Sequence, residues 1–170
     1  MFFTGGALSY DLRLRDEDII VFVAVSGEGV VTPQLWKGQA FTVSHADGSG
    51  TTNSHFEGGL RAFFEYRDLG ISTASGGKYS ANVIRAIPGR HAEPQWHTHD
   101  LDFQMIYILQ GWVTFEYEGQ GEVTFRSGSA ALQPPKIRHR EIRHSDDLEL
   151  IEITTPAEFE TAKVDAPQQD

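Results

Sequence analysis

From Leu60 to Thr154 the chain is a series of short segments rich in β-branched and aromatic residues, separated by glycine and proline. The segments run Leu60–Asp68, Lys78–Ile87, Asp102–Leu109, Trp112–Tyr117, Glu122–Phe125, Ser129–Gln133, Ile137–Arg143 and Leu148–Thr154. Turn signals stand between them at Ser75-Gly76-Gly77, Pro88-Gly89, Gln110-Gly111 and Glu118-Gly119-Gln120-Gly121. Strand-like segments recurring at roughly 8 to 12 residues with turn chemistry between them are the pattern of an all-β sandwich or barrel. Sequential strands joined by tight turns pair antiparallel.

The flanks read differently. Ile19–Val25 is a continuous apolar run followed by Gly27 and Gly29, which predicts a buried strand, with a short helix as the competing reading. Ala40–His45 is a candidate short strand. Residues 46–59 are Asp, Gly, Ser, Thr and Asn with almost nothing apolar, and so form a long loop. His45 and His55 belong to it, and the plain expectation is that both are solvated, although long loops also serve as lids. Pro156 stands where a helix begins, and Ala157–Lys163 is expected to form a turn or two of helix before a polar tail. The resulting division is an N-terminal extension (1–59), a barrel (60–155) and a C-terminal tail (156–170).

A chain of 170 residues can bury a core without staples, and it contains no cysteine. Disulfides, thiolate metal sites and cysteine nucleophiles are therefore excluded. The net charge of -10 argues against a nucleic-acid partner, which calls for a basic face. No apolar stretch approaches the roughly 20 residues that span a bilayer, and no basic leader precedes an apolar run at the N-terminus. A cytoplasmic protein without a membrane partner is the expectation.

Histidine supplies the chemistry instead. His97 and His99 are two apart, and on a strand such residues face the same way. Gln104 lies on the next strand and offers an amide oxygen. His139 comes some forty residues later, so only a closed barrel brings it to the other two. Three neutral imidazoles and an oxygen ligand suit iron, zinc, nickel, copper or manganese.

The full frame reads Gly89, His97-X-His99, four residues, Gln104, six residues, Gly111, then Gly128, five residues, Pro134, four residues, His139. It resembles the two motifs of the cupin superfamily. The first is Gly, five residues, His-X-His, three or four residues, Glu, six residues, Gly. The second is Gly, five residues, Pro-X-Gly, two residues, His, three residues, Asn. The resemblance spans about residues 82 to 155 and implies an antiparallel double-stranded β-helix, the cupin or jelly-roll barrel. It implies one metal ion held by His97, His99, Gln104 and His139. Gln104 stands where the motifs have glutamate, seven residues rather than five separate Gly89 from His97, Lys136 replaces the glycine after Pro134, and Arg143 replaces the asparagine. With glutamine, all four ligands are neutral and the ion keeps its full charge, which favours Lewis acidity and anionic substrates. Alternatively Gln104 stands aside and three histidines hold the ion, as in cupin dioxygenases, or the site holds no metal.

By parity Ile137, His139, Glu141 and Arg143 share a strand face. Glu141 then lies near the barrel mouth as the candidate general acid or base; the competing reading pairs it on the surface with Arg138, Arg140 or Arg143. Ile106 and Ile108 share Gln104's parity and are expected to line the cavity. Gln95 and Trp96 flank the histidines and are placed to cover the metal, with plain packing as the equal alternative for Trp96. His91 and His144 fall outside the frame and read as surface residues. Arg85 and Arg90 are candidates to meet an anionic substrate, and Arg85 alternates with Val83 and Ile87, which leaves its face open. The resemblance implies a metal-dependent enzyme of a small molecule, with a dioxygenase as the first expectation. A non-redox isomerase, cyclase or lyase is the alternative, followed by a non-catalytic metabolite-binding barrel and a storage-type one. Single-domain cupins are often paired, so a homodimer is expected.

Overall fold

The structure is a computed structural model that describes residues 33–47, 49, 50 and 55–168. The chain divides into two units, Met1–Gln34 and Leu35–Asp170, and the second is described here. The run Ile19–Val25 lies outside the described residues.

β1 (Leu35–Trp36) and β2 (Gln39–Ala40) form a small hairpin, so the strand expected over residues 40–45 contracts to its first residue. All other strands belong to two antiparallel sheets. The six-stranded sheet has the order β10-β7-β12-β5-β4-β3, with β3 (Glu57–Gly58), β4 (Phe64–Asp68), β5 (Ser80–Ala86), β7 (Phe103–Gln110), β10 (Ala130–Gln133) and β12 (Glu149–Thr155). The five-stranded sheet has the order β13-β6-β11-β8-β9, with β6 (His97–Asp100), β8 (Trp112–Tyr117), β9 (Gly121–Arg126), β11 (His139–His144) and β13 (Glu160–Lys163).

The alternation in β7 shows why these residues make a sheet. Gln104, Ile106 and Ile108 are buried, whereas Phe103, Tyr107 and Leu109 are each more than a third exposed. One face enters the interior and the other does not, as a period of two requires. β12 lies between β5 and β7, with Leu150 opposite both Ile84 and Ile108. These three join Phe63, Phe64, Ile106, Val113 and Leu148 in one apolar cluster. Each fully buried aliphatic side chain there contributes about 1.5–3 kcal/mol. Gly111 adopts φ 68° between β7 and β8, and a Cβ there would collide with Ser145, Asp147 and Leu148. That connection therefore requires glycine twice over, for its dihedral and for its space.

A five-residue helix, α1 (Ile71–Ser75), sits between Gly70 and Gly76, both left-handed, and leads into the expected turn at Ser75-Gly76-Gly77. One expectation is corrected. The residues after Pro156 are a strand and not a helix: β13 pairs with β6 from Glu160↔Asp100 to Lys163↔His97. β11 meets β6 at one register position, His139↔His97. Without β13 the other edge of β6 would leave its N–H and C=O groups unpaired, and β-pairing outweighs local helix signals there. Among the described residues no helix is long and apolar enough to cross a membrane.

Candidate metal centre

His97 and His99 project from β6 to the same side, and the register places His139 of β11 directly beside His97. Ring centroids lie 4.3 Å apart for His97 and His139, 5.0 Å for His97 and His99, and 5.1 Å for His99 and His139. One nitrogen from each ring lies within 4.8 Å of the others.

Second partners orient these nitrogens. The Nδ1 of His97 lies 2.7 Å from the Gln95 carbonyl oxygen, and the Nδ1 of His139 lies 3.0 Å from that of Ile137. A carbonyl only accepts, so both rings carry their proton on Nδ1 and present an Nε2 lone pair. The Thr161 hydroxyl lies 2.9 Å from His99 Nδ1 and accepts its proton in the tautomer that presents an Nε2 lone pair to the other two rings. Thr161 reaches it because β13 is a strand in register with β6. Phe159 adds an edge-on contact to the His99 ring at 5.2 Å. This is the support that orients imidazoles toward a metal.

All three rings are buried, and burial disfavours the imidazolium. It holds His97 down to about 4 and His99 to about 3, and lowers His139; the neighbouring rings and Arg61 act in the same direction on His99. Three neutral donors with convergent lone pairs could hold a divalent transition metal ion.

Gln104 is 3% exposed and lines the same cavity from the opposite sheet. Its amide nitrogen donates to Glu152 Oε1 at 2.8 Å, so its carbonyl oxygen is turned away from that carboxylate. Glu152 also lines the cavity, and burial pushes its carboxyl up while the Gln104 hydrogen bond pulls it back. Ile106 lines the cavity as expected; Ile108 does not and belongs to the apolar cluster.

Glu141 is 8% exposed and faces the cavity. The surface pairing with arginine does not occur: Arg138, Arg140 and Arg143 pair with Glu118, Glu116 and Glu122. A shift in register between Glu141 and Arg143 breaks the parity of β11. Such a bulge turns the following side chain to the other face. Arg143 is therefore exposed, and His144 enters the interior with its side chain 1% exposed. The reading of His144 as a surface residue is thereby corrected. Its Nδ1 lies 2.5 Å from Glu141 Oε1, and its ring packs against Phe63 and Phe64. Burial raises the Glu141 carboxyl; His144 and then Arg61 oppose it.

Gln95 lines the cavity, but Trp96 does not. Trp96 alternates away from His97 and packs under Arg140, whose guanidinium carbon is 5.0 Å from the ring centre. His45, His55, Arg85 and Arg90 are not among the lining residues. Arg61, Tyr66, Glu152 and Phe159 are, and sequence reasoning passed over them. Glu152 had a signal, since it continues the inward parity of Leu148 and Leu150 along β12. Arg61 had none, because a turn and not a strand aims it. Its Nη2 lies 3.2 Å from His97 Nε2.

Residues 83–154 match the family model described as Cupin domain. No curated protein matches the sequence. Among solved structures the fold is similar to the polyketide cyclase RemF from Streptomyces resistomycificus, with a TM-score of 0.54 and 19% identity over 68% of this chain and 83% of that one. It is similar to a variant of Streptomyces PAC13 with uridine, at 0.51 and 13% identity over 66% and 85%. It also resembles the Lactobacillus farciminis oxalate decarboxylase formate complex, at 0.50 and 14% identity over 64% of this chain and 33% of that one. At these identities the likeness is one of fold. The motif frame, the matched segment and the double-stranded β-helix agree: residues 83–154 carry a cupin domain, on a fold shared with cupin proteins.

Proposed function

We propose that this cupin is a metal-dependent enzyme acting on a small molecule. The observation that carries the proposal is the buried set of His97, His99 and His139, each tied at Nδ1, with ligand nitrogens within 4.8 Å of one another. Gln104 is the fourth ligand in this reading: Glu152 takes its amide nitrogen, which leaves its carbonyl oxygen for the ion. A cavity of about 320 Å³ adjoins the site, the size of a small organic ligand.

Iron there would supply oxygen activation, and zinc, nickel or manganese would supply Lewis acidity. Dioxygenation is the first reading, because a neutral donor set leaves the ion's charge uncompensated for an anionic co-ligand. A non-redox isomerisation, cyclisation or elimination is the second, and Glu141 and Glu152 favour it. Both carboxylates face the cavity, and burial raises both toward neutrality. Such groups exchange protons near pH 7 more readily than ordinary carboxylates do. His144 holds Glu141 in place and offers it a proton partner.

The deciding experiment is metal analysis of protein purified without a chelating tag, alongside His97→Ala and His139→Ala. Near-stoichiometric iron lost in both variants supports the first reading, to be followed by oxygen uptake with phenolic acids and thiols. Zinc, nickel or manganese lost in both supports the second. Protein that takes up no metal under any loading condition refutes the enzyme and leaves a metabolite-binding barrel.

A further inference from the structure

Arg61 is the one lysine or arginine among the described residues that line the cavity. Hydrogen bonds in the turn before β4 fix the backbone that carries it. Phe64 N–H donates to the Arg61 carbonyl at 3.1 Å, Ile87 N–H donates to the Phe63 carbonyl at 3.0 Å, and the Arg90 guanidinium donates to the Ala62 carbonyl. Gly59 lies so close to the Tyr66 ring that a Cβ there would overlap it. The guanidinium so placed has no carboxylate within ion-pair distance among the described residues. Its recorded side-chain partner is His97 Nε2, at 3.2 Å.

That contact carries a consequence. A guanidinium has no lone pair, so its N–H donates to Nε2, and Nε2 of His97 is the lone pair a metal needs. The two cannot share it. A bound ion therefore displaces the Arg61 hydrogen bond and leaves a guanidinium beside a divalent cation whose protein ligands are all neutral. Two cations so close together repel. A carboxylate removes the conflict, because it accepts from a guanidinium with one oxygen and serves a cation with the other. The walls beyond the polar end are Phe63, Phe64, Ile84, Ile106, Leu150 and Phe159.

We infer that the ligand of this site is a small monocarboxylate with an apolar body, held between Arg61 and the metal, and that Arg61 makes metal and carboxylate binding mutually dependent. The inference rests on the proposed metal centre and adds to it the charge, size and polarity of the substrate.

The test is a cobalt(II) titration of the whole chain, read by visible absorption at constant ionic strength, with and without benzoate. In the wild type, saturating benzoate should tighten cobalt binding by about tenfold, and cobalt should tighten benzoate binding by the same factor, as linkage demands. Arg61→Gln should bind cobalt about tenfold more tightly than wild type without benzoate, and its coupling should fall below about twofold. Arg61→Lys keeps the charge and should retain the weak cobalt binding of the wild type in the absence of benzoate. Near-ultraviolet circular dichroism checks that each variant is folded. Equal cobalt affinity in wild type and Arg61→Gln, with no benzoate effect in either, overturns the inference and leaves the metal centre standing. So does an Arg61→Lys that matches Arg61→Gln. Cobalt binding that is absent, or unchanged in His97→Ala, overturns the metal centre and the inference with it.

Discussion

Thr161→Val tests whether the C-terminal strand is part of the metal centre. The substitution keeps the shape of the side chain and deletes the oxygen that stands 2.9 Å from His99 Nδ1. Two costs follow. A buried N–H left without an acceptor costs about 1–3 kcal/mol. The ring can avoid that cost by moving its proton to Nε2, but it then no longer presents a lone pair to the other two histidines. Loss of such a supporting partner typically weakens metal binding by about 10–100-fold, or about 1.4–2.7 kcal/mol. Zinc competition against a chromophoric chelator measures this directly. A second readout is the zinc-induced rise in thermal stability: at a fixed zinc concentration well above Kd, each tenfold loss of affinity removes about 1.4 kcal/mol of ligand stabilisation. The metal-free variant should lose about 1 kcal/mol, one hydrogen bond's worth. Zinc affinity within twofold of wild type in a folded Thr161→Val protein would refute the reasoning, and with it the role assigned to β13.

Further outcomes follow from the same geometry. The metal-free protein should lose stability as pH falls from about 6.5 to about 4. Its His97 is held at about 4 against an ordinary 6.5, so the unfolded chain takes up the proton first and stability rises with pH across that window. His97 alone accounts for about 3 kcal/mol, and urea unfolding of wild type and His97→Gln at pH 7 and pH 4.5 should show the smaller loss in the variant. Gly111→Ala should destabilise by more than about 2 kcal/mol, because it combines a left-handed dihedral with a collision against Ser145, Asp147 and Leu148; chemical denaturation measures it. Glu141→Gln should leave metal content unchanged and lower turnover by about 100-fold or more in the non-redox reading. An unchanged rate in that variant would transfer the proton-handling role to Glu152.

Much of the fold was legible because its signals are local. Period-two alternation in β7 and the turn residues before and after β8 each act over a few residues. His97 and His99 were legible because His-X-His on a strand needs no tertiary information to share a face, and His139 was legible through the resemblance to the second cupin motif. Lys136 shows a limit of motif reading. It stands where the second motif has glycine, and the structure places it at φ 61°, so the position keeps its left-handed conformation with an unusual residue. Its N–H donates to the His99 carbonyl at 3.1 Å, which ties the loop before β11 to the metal strand. Glu141 was legible as a candidate, but its partner was not: the surface reading named Arg138, Arg140 or Arg143, and a bulge delivered His144.

The sequence by itself determined the all-β class, the strand positions from Lys78 to Thr154 apart from β6, and the three-histidine frame, since each follows from spacing along the chain. Tertiary structure alone decided that residues 160–163 pair with β6, that Glu152 takes the Gln104 amide and that Arg61 points at His97. Those three depend on which strand edge is left open, which carboxylate lies across a register and how a turn aims a long side chain. Each is a matter of distance in space between residues 36 to 66 positions apart in the chain, and no local pattern encodes it.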